Sequence, residues 1–128
     1  KDIKKILSYS YASLEVGGII LILTLDTKSN EIPTFSLMKQ KLKQSFKRDN
    51  LIWKKLLQLN VKKSITKFNF KVNIKKNIYL KMIKQRYIST LLKFSPLQIS
   101  NGINEINFKY KKIILFNDKL KCIKFSKV

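Results

Sequence analysis

Apolar residues change period several times along this chain, and each change marks an expected element. From Val16 to Leu25 the sequence is almost wholly apolar, VGGIILILTL. A short continuous run of this kind suits a strand covered on both faces, so a central strand is expected over 19–26, approached through Gly17 and Gly18. TKSNE follows as a turn. Over SLMKQKLKQSFKRDNLIWKK, residues 36–55, the period becomes helical. At roughly 100° per residue Met38, Leu42 and Phe46 share one face, and Trp53 and Leu57 continue it. Ser36 is the expected N-cap. Asp49 would fall in the middle of the apolar face of an unbroken helix, where an unpartnered carboxylate is costly. The expected arrangement is therefore a break at Asp49 and Asn50, one of which caps a second helix over 51–59. A single helix with Asp49 paired to a nearby lysine is the alternative.

From Ser64 the period drops to two. KFNFKVNI places Phe68, Phe70, Val72 and Ile74 on one side of a strand, with Lys67, Asn69, Lys71 and Asn73 on the other. After a turn at 75–77, a helix is expected over 78–94, with Leu80, Ile83, Tyr87 and Leu91 on a common face and Pro96 as its stop. Met82, Ile88 and Leu92 lie off that face. The remainder reads as hairpins. Asn101 and Gly102 form a tight-turn signal between LQIS and INEINFKY, and Asn117 and Asp118 separate KKIILF from LKCIKF. The order predicts an α+β fold: a small single domain over 1–128 with two or three helices packed on a mixed β-sheet, C-terminal hairpins, and residues 1–15 as an N-terminal extension.

Charge changes the picture more than any motif. Lys and Arg total 28 against 7 Asp and Glu, a formal charge of +21, while 45% of the residues are hydrophobic. The apolar content is ample for a core. Small domains usually lie within about 10 units of neutrality, and self-repulsion opposes a compact chain this basic. A polyanionic partner relieves it. Lysines outnumber arginines 26 to 2, which A/T-rich codon usage explains. That usage does not explain the scarcity of acids, because Asp and Glu codons are A-rich too. Lysine is a flexible point charge, suited to backbone phosphates and poorly suited to bidentate base reading. RNA bound by shape and phosphate is the expected partner. The candidate contacts are Lys39, Lys43, Lys47, Arg48, Lys54 and Lys55 in the helical segment, Lys67 and Lys71 on the strand, and Lys84 and Arg86 on the next helix. Any one of these lysines alone reads as a solvated surface group. The helical row is more telling, because lysines spaced by four repel one another and only Asp49 could offset them.

Other chemistry is scarce. The chain has no histidine and a single cysteine, Cys122. His-dependent zinc sites, Ser-His or Cys-His nucleophiles and an internal disulfide are therefore excluded. Its three glycines form no phosphate-binding loop, and no closely spaced acid pair suggests a two-metal site. No catalytic residue, metal, cofactor or small-molecule substrate is expected, and the chain is not expected to be an enzyme. Lys1, Lys4 and Lys5 precede the apolar run in the charge order of a signal segment. The run over 16–25 is nevertheless shorter than the roughly 20 residues of a membrane span, so a membrane partner is not expected. The absence of an initiator Met suits a processed or partial chain.

The glycine loop of KH domains and the paired aromatic motifs of RRM domains are both missing. Short, lysine-rich, poor in acids and rich enough in apolar residues for a core, the chain is similar in composition to ribosomal proteins encoded in A/T-rich organelle genomes. That resemblance implies a structural protein bound to ribosomal RNA in a mitochondrial or other organellar ribosome, beside neighbouring ribonucleoprotein proteins. A free regulatory nucleic-acid binder, cytoplasmic in location, is the alternative. A membrane-associated subunit ranks third.

Overall fold

In the computed structural model, which describes residues 2–128, helices and strands are interspersed along the chain. The order is α1 (Ile3–Ala12), β1 (Ile19–Leu25), α2 (Ser36–Leu57), β2 (Lys63–Lys75), α3 (Lys76–Lys84), a 3₁₀ turn (Ser89–Leu91), α4 (Pro96–Lys109) and β3 (Ile113–Ser126). The fold is α+β, as expected. The strand order is β1-β3-β2, so the last strand in sequence is the central one. β1 runs antiparallel to β3, with Ile19 opposite Ser126 and Leu25 opposite Leu120. On the other side of β3, Ser126 N–H donates to the Lys62 carbonyl and Lys76 N–H to that of Lys112, again antiparallel. The sheet is antiparallel rather than mixed.

The chain divides into two compact units. One comprises Lys1–Asn30, Lys47–Asn69 and Lys119–Val128; the other comprises Glu31–Phe46 and Phe70–Asp118. The first is built around Leu7, Leu56, Ile123 and Phe125, against which Ile20, Ile22, Trp53 and Leu57 pack. Asp2 starts α1 by accepting the Lys4 N–H, and Tyr11 ties the helix to the sheet by donating to the Ser126 carbonyl at 3.0 Å. β1 differs from expectation. It is an edge strand whose Ile20 and Ile22 face the core, while Ile19, Leu21 and Leu23 are about half exposed. Continuous hydrophobicity suggested two covered faces; the covered central position belongs to β3, where Cys122, Ile123 and Phe125 are buried. Among the described residues, no helix is long and apolar enough to cross a membrane.

The second unit gathers Phe35, Met38, Leu42, Tyr79, Ile83, Leu91, Phe94, Ile99, Ile106 and Ile114. Tyr79 is its polar pin: the phenol donates to the Pro33 carbonyl at 2.6 Å and lies 3.0 Å from the Tyr87 hydroxyl. The helix expected over 78–94 stops at Lys84, because Arg86 takes a left-handed conformation with φ 56°. Stopping there resolves the conflict noted in the sequence. Ile83 and Leu91 both reach the core, although one unbroken helix could not also have buried Met82 and Ile88.

The expected hairpin at Asn101 and Gly102 is instead the middle of α4. Its start is strongly specified: the Ser95 side chain accepts from Gln98 N–H, the Gln98 side chain accepts from Ser95 N–H, and Pro96 opens the first turn. Gly102 serves close approach rather than a turn, since a Cβ there would lie 2.6 Å from the Phe35 ring. Asn117 and Asp118 likewise make no turn but lie within β3, where Asn117 N–H donates to the Glu31 carboxylate. β3 pairs with a strand on either side, which a local turn signal cannot register. Asp49 does not break α2 either. The helix runs unbroken, with Asp49 half-buried and paired to Arg48 at 2.9 Å rather than to a lysine.

Two stability predictions test this packing. Gly102→Ala gains about 1 kcal/mol of helix propensity, yet it should lower the urea midpoint, with overpacking of roughly 1–3 kcal/mol outweighing the gain. Adding Phe35→Leu should recover part of the loss; an unaltered or raised midpoint in the single variant would show that the contact is not tight. Tyr79→Phe should cost about 1–3 kcal/mol by leaving the buried Pro33 carbonyl without its donor, measured by the same denaturation.

Candidate nucleic-acid interface

Several basic side chains are engaged inside the fold. Carbonyls at a helix C-terminus lack intrahelical donors and carry partial negative charge, so they attract cations. Lys127 Nζ donates to the carbonyls of Ala12, the last residue of α1, and Leu14 just after it, and Lys63 Nζ to that of Leu59 beyond α2. Lys76 Nζ closes α4 through Asn107 O at 3.0 Å and Tyr110 O at 3.1 Å. Arg86 does the same for the loop after α3, one guanidinium nitrogen reaching the carbonyls of Leu91 and Phe94, each at 2.6 Å. The candidate Arg86 is thus a half-buried clamp.

The other candidates lie at the surface. Lys39 and Lys43 are exposed on the part of α2 in the second unit, and Lys47, Arg48, Lys54 and Lys55 on its part in the first. Arg48 shares its charge with Asp49. Lys84 is exposed in the last turn of α3, where it complements the helix dipole. Lys71 stands in the second unit beside a shallow cleft that Glu31, Asn73 and Asn117 also line. The apolar anchors of α2 divide between the clusters: Leu42 and Phe46 serve one, Trp53 and Leu57 the other.

In the first unit the fold brings Lys54 and Lys67 together with two lysines that sequence reasoning did not single out. They line a cleft of about 550 Å³ with Lys28, Lys121, Asp26, Asn50 and Trp53. Lys121 is the unusual member. It lies on β3 opposite Thr24, is only 8% exposed, and holds its ammonium 4.3 Å from the centre of the Trp53 ring. Attraction to the indole face offsets part of its lost hydration. Burial pushes its pKa below the ordinary lysine value, and the Asp26 carboxylate pulls the other way. Asp26 is itself held: its carboxylate accepts Lys28 N–H at 3.0 Å and its own N–H donates to the Lys119 carbonyl. Thr27 Oγ1 donates to Asn50 Oδ1 at 2.6 Å, which leaves the amide nitrogen of Asn50 as the group available for donation. Lys121 shares the phase of Ile123 and Phe125 in LKCIKF, and that in-phase charge is the signal that could have found it.

A second feature sits at the start of α2. Ser36 was expected to cap the helix with its own side chain. Instead its N–H and its hydroxyl both donate to Glu105 Oε2 at 2.8 Å, so a carboxylate from α4 serves the helix N-terminus. These bonds hold the Glu105 pKa below the ordinary carboxylate value. Nearby, Phe108 is 96% exposed and borders a cleft with Lys39 and Lys109. An exposed ring beside lysines can stack on a base while they meet phosphate. Among the described residues, no group of three or more His, Cys, Asp or Glu could hold a metal.

No family model matches the chain, and no curated protein sequence matches it.

The Glu105 bonds predict an acid limb in the stability profile. A carboxylate whose pKa is lowered on folding contributes stability in full above its unfolded value, 4.5, and loses it as pH falls through the folded value. Glu105→Gln should therefore destabilise the protein at neutral pH and show a smaller loss below that pH. Parallel acid-side limbs in thermal melts of the two forms would remove the Ser36–Glu105 link from the account.

Proposed function

We propose that this chain is a structural RNA-binding protein of a large ribonucleoprotein, and that the particle is the ribosome of an A/T-rich mitochondrial or other organelle genome. The observation that carries the reading is the disposition of its charge. Of 28 basic residues, those on α2 and at Lys67, Lys71 and Lys84 stand at the surface, while the fold offers them few carboxylates. Three of the seven acids are bonded elsewhere, Asp26 to Lys28 N–H, Glu31 to Asn117 N–H and Glu105 to Ser36, and Asp49 on α2 is paired with Arg48. A polyanion supplies the missing neutralisation, and RNA phosphates suit lysine better than base edges do. The composition supports the ribosomal assignment, and neighbouring proteins of the particle complete the set of partners.

Binding should be mainly electrostatic and weakly sequence-selective. Titration with unrelated RNAs across a range of salt should give a steep dependence, each neutralised single-strand phosphate adding a slope of about 0.7. Replacing Lys39, Lys43, Lys47 and Lys54 together by glutamine should leave the fold intact and flatten that slope. A salt-independent affinity, or discrimination among RNAs above roughly a thousandfold, contradicts the reading. Co-sedimentation with organellar ribosomal subunits in moderate salt supports the ribosomal assignment. A free, monodisperse protein in the same extract points to a regulatory binder instead.

A further inference from the structure

We propose that the Trp53–Lys121 cleft of the first unit is a discrete binding site for a phosphate of a single RNA strand. The inference rests on the RNA-binding reading above and adds a location to it. Lys121 is 8% exposed as a residue, and its ammonium, which is partly desolvated, has an indole ring at 4.3 Å as its near neighbour. Lys28, Lys54 and Lys67 line the same cleft, and the acid there, Asp26, is bonded to Lys28 N–H. The balance of charge within the cleft is therefore positive. An anion against Lys121 replaces the lost hydration and gains charge-assisted bonds in a partly desolvated place, where such bonds are strong. The Asn50 amide, oriented by Thr27, adds a neutral donor. At about 550 Å³ the cleft lies within the range of small-ligand sites and is larger than a lone phosphate needs, leaving room for the adjoining sugar and base.

The depressed Lys121 pKa has the sign this role requires. Keeping that ammonium charged in the free protein opposes folding, and a bound phosphate relieves the penalty. Lys121→Met should thus raise the denaturation midpoint of the free protein while weakening its binding. A lysine kept only for structure would give the opposite stability result.

Trp53 is the sole tryptophan of the chain, so its fluorescence reports on this cleft. The full chain is titrated with a short labelled oligouridylate while indole emission and oligonucleotide anisotropy are followed together. The expected result is a saturable change in Trp53 emission that tracks the anisotropy. Lys121→Met should weaken both signals by about tenfold, and circular dichroism verifies that the variant is folded. Lys39→Gln with Lys43→Gln should shift both titrations together to weaker binding, and leave the amplitude of the Trp53 change at saturation as in the parent. If anisotropy reports binding while Trp53 emission stays flat, or if the folded Lys121→Met variant binds as tightly as the parent, the cleft is not the site and the RNA reading survives. Absence of binding in both channels defeats both proposals. Inorganic phosphate matching the oligonucleotide response at equal phosphate concentration would make the cleft a small-anion site and overturn its assignment to a strand.

Discussion

Twenty-one uncompensated positive charges are the constraint under which this chain folds. Its acids do little to cancel them. Asp2, Asp26, Glu31 and Glu105 each accept a backbone N–H, from Lys4, Lys28, Asn117 and Ser36 in turn. Several basic groups are used in the complementary sense, with Lys63, Lys76, Lys127 and Arg86 serving backbone carbonyls near helix ends. Each sign of charge thus completes the main chain, whose termini and loops would otherwise carry orphaned donors and acceptors. Arg48 and Asp49 form a side-chain pair, but they are neighbours in sequence and fix no long-range contact. These bonds serve the main chain and leave the net charge of the molecule almost undiminished.

This division explains which parts of the fold were legible in the sequence. The apolar period of α2 was clear, and Leu42 is buried where it placed it. The period-two run in β2 also corresponds to a strand. Both signals are local. The errors lie where distant residues decide. Gly102 resembles a turn until Phe35 is set against it. β1 resembles a central strand until the last segment of the chain takes that place. Asp49 is a different case, since the partner that lets α2 run through it, Arg48, is the adjacent residue. The Ser95–Gln98 capping box was local and readable, and it outweighed the adjacent turn dipeptide.

The candidate site was legible in kind rather than in place. Counting charges identified lysine and phosphate as the relevant chemistry. It could not separate lysines that clamp carbonyls from lysines that face solvent, since both occupy polar positions. Nor could it place Lys28 and Lys121 beside Lys54 and Lys67, because residues far apart in sequence meet there. Trp53 belongs to the apolar cluster of its unit and also lines the basic cleft, so one residue joins core packing to surface chemistry.

The position of β1 carries a further consequence. Its outer edge offers backbone groups on which another strand could grow, and Ile19, Leu21 and Leu23 make the adjoining face sticky. Such an edge is a template for fibre growth, and soluble proteins commonly guard it with a proline, a bulge or an inward-pointing charge. IILILTL contains none of these. Here the guard is global: two copies approaching edge to edge bring together charges of like sign, and their repulsion acts over a Debye length of about 8 Å at physiological salt. A short polyanion that cancels the charge without covering the strand removes that guard, so the conditions that satisfy the lysines can also bring the chain out of solution.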